Sequence, residues 1–198
     1  MSSNHSYSAY ISCISYRSCN GNTGFTLAEL LVSMAILAVL AALAAPSFNN
    51  LINRQAISNQ AWEVRRALEL GRSLAVADQQ VWKVCMADLN LQCVKQQGQR
   101  LLVFRDSNND HLVNGQDQLQ LNLQIQSRNI RLSASGRSYI RFKGSGEALD
   151  SGNFLFCGND KTSQYGRQTI VFRSGRVRLS SDTDGDSYDD TGDKKIIC

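Results

Sequence analysis

Residues 24–46 read GFTLAELLVSMAILAVLAALAAP, and this stretch decides how the chain is organised. An apolar run over 27–45 is about as long as a helix needs to cross a bilayer core. One carboxylate, Glu29, lies near its start, where a charge costs on the order of a few kcal/mol and therefore normally has a partner or a function. Pro46, the only proline in the chain, closes the run. We predict a transmembrane helix over 25–46.

The helix is predicted to continue over residues 47–79 as the amphipathic half of one long spine helix. Its apolar residues recur three and four positions apart, which is the spacing of one helix face. An apolar stripe needs something to cover it, so the rest of the chain must supply that surface. The predicted stripe consists of Ile57, Ala61, Val64, Leu68, Gly71 and Ala75.

Beyond residue 80 the apolar period changes from helical to two, which is typical of β-strands. Seven short segments have this pattern: VWKVC (81–85), LLVFR (101–105), LQLNLQI (119–125), YIRFK (139–143), NFLFC (153–157), QTIVF (168–172) and RVRL (176–179). One long helix followed by short strands predicts an α+β fold, with the helix packed on an antiparallel sheet or pair of sheets in a domain over 80–198. The polar tail at 182–195 is predicted to be a loop held by the terminal cysteine.

Four cysteines lie in the predicted β-rich domain, and an even number in an exported domain indicates two disulfides. Sequence alone allows three pairings. We favour Cys85–Cys93, which closes a short hairpin-sized loop, and Cys157–Cys198, which ties down the C-terminus. A metal site is the competing interpretation, but no CxxC occurs and residues 25–198 contain a single histidine, His111.

Charge is distributed unevenly along the chain. Residues 80–181 hold fourteen Lys or Arg against seven Asp or Glu, whereas residues 182–198 hold six Asp against two Lys. This asymmetry indicates an anionic partner for the body of the domain and a separate role for the tail.

The N-terminal stretch resembles type IV prepilins and type II secretion pseudopilins in residue type and spacing together. The resemblance implies that residues 1–24 are a leader cut after Gly24 by a prepilin peptidase, and that the new N-terminal residue, Phe25, is N-methylated. It further implies that Glu29 pairs with the terminal amine of a neighbouring subunit during assembly. The alternatives are a plain single-pass anchor and an uncleaved signal.

Later segments resemble the GspH/FimT class of minor pilins and pseudopilins. The matching pieces are the W-x-V-C strand at 82–85, the loop FRDSNND at 104–110, RFKGSGEA at 141–148, FLFCG at 154–158 and SGRVR at 174–178. The resemblance implies a pilin-like fold and a minor pilin that assembles into, or primes, a type IV pilus with other pilins. Its anchor would lie in the inner membrane, with the head in the periplasm or, within a pilus, outside the cell. The alternative is an H-type pseudopilin of a type II secretion system.

Strand parity predicts a basic face on the head. A strand sends alternate side chains to opposite sides, so Ile140 and Phe142 would face the core and their neighbours would not. In the late strands Ile170 and Phe172 would face the core in the same way. The predicted basic face consists of Arg137, Tyr139, Arg141, Lys143, Arg173, Arg176 and Arg178.

The basic face suits phosphate binding, with arginine forks for phosphate oxygens and Tyr139 for stacking. Members of the resembled family that serve natural transformation bind DNA through a late Gly-Arg-x-Arg motif, which residues 175–178 match. Double-stranded DNA is therefore a candidate partner. The alternative is a solvated sheet face, which arginines occupy routinely.

Two acidic stretches resemble calcium loops in their spacing. In the tail the candidate ligands are Asp182, Asp184 and Asp186, followed by Asp189 and Asp190; in the earlier stretch they are Asp106, Asn108, Asp110, Asn114 and Asp117. The alternative is that these side chains bond their own backbone as turns. We predict no cofactor other than this calcium candidate. No nucleophile elbow or phosphate loop occurs, and a non-enzymatic role is expected.

Overall fold

The computed structural model of the protein describes residues 24–125, 130–134, 136–157, 166–186, 188–192, 194–196 and 198. Apart from Gly24, the predicted leader at 1–24 lies outside the described residues. The chain forms two compact units, Met1–Ala44 and Ala45–Cys198. We refer to the second unit as the head.

The helix α1 extends over Leu27–Asp78 and continues through Pro46. In the first unit, its segment Leu27–Ala44 is long and apolar enough to cross a membrane, with a mean hydropathy of 2.5. All its side chains are exposed, as expected of a surface made for lipid or for other helices and not for the core of a single chain.

The head contains two antiparallel sheets and a two-stranded ribbon. In the first sheet, β1 at the centre pairs with β3 on one side and with β2 and β6 on the other, and β3 pairs with β4. In the second sheet the order is β5-β7-β8-β9, and β10 pairs with β11. The strands are β1 Trp82–Ala87, β2 Cys93–Val94, β3 Arg100–Arg105, β4 Gln118–Gln124, β5 Ile130–Ser133, β6 Tyr139–Phe142, β7 Gly152–Phe156, β8 Arg167–Val171, β9 Val177–Leu179, β10 Asp190–Thr191 and β11 Lys194–Lys195.

The predicted α+β class and all seven predicted strands are confirmed, with small shifts at their ends. The sequence did not indicate β2, β5, β10 and β11. β2, β10 and β11 have two residues each, too few for an alternating pattern, and β5 has four. Their pairing depends on neighbours distant in sequence; Ile130 of β5, for example, pairs with Phe156 of β7.

The core forms where α1 packs on the sheets, and the predicted apolar stripe is confirmed. Ala61, Val64 and Leu68 are completely buried. At Gly71 the helix comes so close to β1 that an added Cβ would lie 2.5 Å from Cγ2 of Val84. Small residues on the helix therefore set the distance between helix and sheet.

The helix α1 and the second sheet are also joined by polar contacts. The hydroxyl of Thr169 donates to the carbonyl oxygen of Ala61 at 3.1 Å. Arg167, at the start of β8, donates to the Ser58 hydroxyl at 2.7 Å and to Asp189 at 3.0 Å. These bonds satisfy polar groups that would otherwise be costly to bury.

A second apolar cluster lies on the other face of the first sheet, where Cys85, Leu102, Phe104 and Tyr139 are buried. The structure joins Cys85 to Cys93 within this cluster, with Cα atoms 5.6 Å apart. It also joins Cys157 to Cys198, with Cα atoms 5.7 Å apart.

The prediction that the tail is only a loop is wrong. It contains the ribbon β10–β11, and the side chain of Ile196 directly after it is buried. Composition was misleading because the aspartates find partners: Asp189 bonds Arg167, and Asp190 accepts bonds from the backbone and hydroxyl of Thr183. With those charges satisfied, the tail packs against the rest of the head.

The close approach at Gly71 leads to a test by Gly71→Ala. Alanine is favoured over glycine in a helix by about 1 kcal/mol, but overpacking a core costs about 1–3 kcal/mol. We expect the clash to dominate and the free energy of unfolding to fall by up to about 2 kcal/mol, measured by urea unfolding of a fragment that begins at Leu51. Ser73→Ala, at an exposed position on the same helix, is the control. A Gly71→Ala protein as stable as this control would contradict the packing described here.

Candidate functional site

The N-terminus of α1 is closed by reciprocal hydrogen bonds between Thr26 and Glu29. The Thr26 hydroxyl accepts from the Glu29 backbone N–H at 3.2 Å, and Oε2 of Glu29 accepts from the Thr26 backbone N–H at 2.9 Å. This arrangement is a capping box, which satisfies N–H groups that the first helical turn leaves free. Among the described residues, Oε1 of Glu29 accepts no hydrogen bond, so the carboxylate retains an acceptor for a further donor.

The predicted Gly-Arg-x-Arg element forms a tight hairpin between β8 and β9. The Phe172 N–H donates to the Arg176 carbonyl at 3.0 Å, and the Gly175 N–H donates to the Phe172 carbonyl at 2.9 Å. Gly175 has a φ of +78°, a region that glycine adopts without strain. The hairpin also packs on the turn that follows β6, where the Ala148 N–H donates to the Arg173 carbonyl at 3.0 Å.

Two arginines of this hairpin surround one aromatic ring. The guanidinium carbons of Arg176 and Arg178 lie 4.8 and 5.9 Å from the centre of the Phe172 ring. Contacts of this kind hold a guanidinium over the ring face while its N–H groups remain available. Arg173, Arg176 and Arg178 are all exposed, and within the described part of the chain none forms an ion pair.

The prediction that Ile170 and Phe172 face the core is wrong. Thr169 and Val171 are the buried residues of β8, and Ile170 is half-buried and pairs with Arg178. The opposite face of β8 is buried because the Thr169 hydroxyl bonds to the helix, so that a polar residue takes a core position. Phe172 thus becomes a neighbour of the arginines.

Arg137 and Arg141 are occupied differently from the hairpin arginines, because both bind the buried carboxylate of Asp150. Nε of Arg141 donates to Asp150 Oδ2 at 2.8 Å. Burial raises the pKa of Asp150, but the hydrogen bonds and positive charges of the two arginines outweigh it, so this pKa lies below its ordinary value. The two arginines therefore neutralise an internal acid.

Lys143 and Tyr139 are also engaged within the head. Lys143 forms an ion pair with Glu147. Tyr139 is 8% exposed and its ring contacts that of His111 in a tilted arrangement, with ring centres 4.4 Å apart. The expectation that Tyr139 is open for stacking is therefore wrong, because the loop carrying His111 covers its ring.

A buried lysine organises that loop. Nζ of Lys83 donates to Asp106 at 2.5 Å, to Asn109 at 2.9 Å and to Nδ1 of His111 at 2.7 Å. An ammonium group has three protons, so all are used. Burial opposes ionisation of Asp106, but the bonds from Lys83 and the loop backbone prevail and lower its pKa.

The calcium candidates at 106–117 bond mainly to their own loop. Carboxylate oxygens of Asp106, Asp110 and Asp117 lie within 4.8 Å of one another. Each carboxylate also accepts backbone N–H groups, as from His111 to Asp106 and from Ser107 to Asp117. The Leu112 N–H, two residues after Asp110, donates to Asp110 Oδ1 at 2.9 Å, which is the bond of an Asx turn, the alternative interpretation of the same spacing.

In the tail, oxygens of Asp182, Asp184 and Asp190 lie within 4.8 Å of one another. Asp186, the third predicted ligand, pairs with Lys195 instead. Thr183 donates to Asp190, and the Gly185 N–H donates to Asp182 at 2.7 Å. Calcium binding at either stretch stays a prediction.

Sequence reasoning missed Asp150 and the role of Phe172. Strand parity assigns residues to a face but does not reveal an acid that reaches back to two arginines from a later turn. The available signal was a carboxylate at the end of a glycine-containing turn directly after the basic strand.

Comparisons with known proteins agree with this fold. Residues 60–175, more than half of the chain, match the model of the family Type II transport protein GspH, and residues 19–45 match the prokaryotic N-terminal methylation motif. No curated protein matches the chain in sequence.

Two crystal structures of the Pseudomonas aeruginosa (strain PAO1) type IV minor pilin FimU resemble the protein. One has a TM-score of 0.51 at 15% identity and covers 65% of this chain and 90% of FimU. The other has a TM-score of 0.49 at 14% identity and covers 63% and 92%. The first supports the pilin-like fold. On the extent of the family match, the chain belongs to the GspH family of pilin-like proteins, which comprises pseudopilins and minor pilins.

Proposed function

We propose that the protein is a minor pilin that assembles into, or primes, a type IV pilus, with a structural and not a catalytic role. A prepilin peptidase would cut after Gly24 and leave an N-methylated Phe25. The subunit would then be anchored in the inner membrane by one helix, with its head in the periplasm, and would be extracellular once assembled. The supporting observation is the exposed apolar segment Leu27–Ala44, with Glu29 near its start.

The chemistry of Glu29 supports assembly through this segment. An ionised carboxylate in an apolar interior is strongly disfavoured unless a positive charge meets it. The capping box occupies Oε2, and Oε1 is open to a donor. A methylated amine on Phe25 of a neighbouring subunit would supply both the charge and the proton.

Replacement of Glu29 tests this assembly role. Removing one partner of a buried ion pair costs about 3–5 kcal/mol, so we expect Glu29→Ala to be at least tenfold depleted from sheared pili while its level in the membrane is unchanged. Immunoblots of both fractions measure this ratio. Ser33→Ala, which removes another polar group from the same segment, is the control and should assemble normally. Incorporation of Glu29→Ala at the level of Ser33→Ala would contradict the proposed role.

The H-type pseudopilin of a type II secretion system is the second candidate, and the match to the GspH family model favours it. It differs in partners and not in fold. Deletion of the gene separates the two: loss of pili or twitching supports the pilus, and loss of exoprotein secretion supports the secretion system.

We further propose that the head binds double-stranded DNA through the hairpin of residues 172–178. The supporting observation is the contrast among the predicted basic residues: Arg173, Arg176 and Arg178 are exposed without a carboxylate partner among the described residues, whereas the others have one or are buried. Their guanidinium groups offer N–H donors for phosphate oxygens. Such binding depends on salt and little on base sequence.

A salt series on the detergent-solubilised chain tests DNA binding. With Arg176→Ala/Arg178→Ala, two phosphate contacts are lost, so we expect weaker binding to a short duplex and a log–log salt slope smaller by about two. Arg66→Ala/Arg131→Ala removes two exposed arginines outside the hairpin and should have little effect. An equal loss in both double variants, or no binding at low salt, would contradict DNA binding by this hairpin and leave the assembly role intact.

A further inference from the structure

An arginine of α1 lies against the hairpin although it is about a hundred positions away in sequence. Nε of Arg72 donates to the carbonyl oxygen of Gly146, in the turn after β6, at 2.9 Å. A Cβ added to Gly175 would lie 3.0 Å from the same Nε. The Arg72 guanidinium therefore contacts the turn that begins the Gly-Arg-x-Arg element.

Two glycines make this contact possible. Gly146 has a φ of +80° and Gly175 a φ of +78°, which other residues rarely adopt. A Cβ on Gly175 would also collide with the carbonyl oxygen of Gly146. The two turns consequently touch through backbone alone, and Arg72 lies at their junction.

The charges at this junction favour an anion. Lys143 and Glu147 neutralise each other in the adjoining turn. Arg72 is exposed and, within the described residues, forms no ion pair; its Nε bond leaves the terminal guanidinium nitrogens unused. Arg173 and Arg176, on either side of Gly175, are exposed too, and neither forms an ion pair with any residue that the structure describes. Arg72 of α1 thus lies beside the turn that carries Arg173 and Arg176.

We propose that Arg72 is a further phosphate-binding residue of the DNA surface, contacting the backbone beside Arg173 and Arg176; this rests on the proposed DNA binding. The bond to Gly146 fixes the guanidinium before DNA arrives, which lowers the entropic cost of the contact. Its free edge presents two N–H donors to phosphate oxygens.

The test compares Arg72→Met with Arg66→Met in the full-length, detergent-solubilised protein, with a short DNA duplex over a salt series. Both variants remove one exposed positive charge from α1, but only Arg72 touches the hairpin. We expect Arg72→Met to weaken binding about tenfold at low salt and to lower the log–log salt slope by about one. Arg66→Met should match the parent protein in both.

Arg72→Lys distinguishes contact from fold. Lysine keeps a charge for phosphate, so the salt slope should return to that of the parent with affinity partly restored. Thermal unfolding midpoints of all variants identify any loss of structure.

The outcomes separate this inference from the proposal on which it rests. If the parent protein binds no DNA, the DNA-binding proposal fails. If the parent binds and Arg72→Met equals Arg66→Met, the inference is overturned while DNA binding stands. Weaker binding with an unchanged salt slope and no recovery in Arg72→Lys would also overturn it, because Arg72 would then only support the turn.

Discussion

The close approach of α1 to the first sheet at Gly71 is the constraint on which the head depends. With no side chain there, the helix comes within reach of Val84, Val103 and Phe142. Burial of the helix stripe against these strands removes apolar surface from water, the dominant favourable term in folding. The same approach has a consequence for the surface, because Arg72 follows Gly71 and is thereby brought to the turn at Gly146.

The head uses its charges in two distinct ways. Lys83, Arg137 and Arg141 bind the buried carboxylates of Asp106 and Asp150, so that each of these internal acids is paired and hydrogen-bonded as its environment requires. In the hairpin, Arg173, Arg176 and Arg178 are exposed and form no ion pair with the part of the chain that the structure describes. The excess of Lys and Arg in the head sequence thus comprises two groups: residues whose charges pair with internal acids, and exposed arginines that remain available to a partner.

Much of the fold could be predicted from the sequence, because periodicity reports burial directly. The helix stripe and seven strands follow from it. The buried face of β8 could not be predicted, because Thr169 is a polar residue in the sequence yet occupies the core, where it bonds to Ala61. The prediction for the tail was wrong for a related reason. Its aspartates were expected to be solvated, but Arg167 and Thr183 form hydrogen bonds with them.

The candidate sites could be predicted from the sequence to different degrees. The segment around Glu29 is local, so residue types and spacing define it. The hairpin arginines were found by motif and strand parity. That their role differs from the role of Arg137 and Arg141 could not be predicted, because it depends on the ion pairs that those two arginines form with Asp150. Arg72 could not be found at all, because its contact with Gly146 joins residues 74 positions apart.

The most direct test of the account as a whole is the mass of the N-terminal peptide of the protein purified from membranes of its natural host. A pilin-like subunit predicts a chain that begins at Phe25 and carries one added methyl group. A chain that retains residues before Gly24, or that begins at another position, would contradict processing as a pilin and with it the proposed route of assembly.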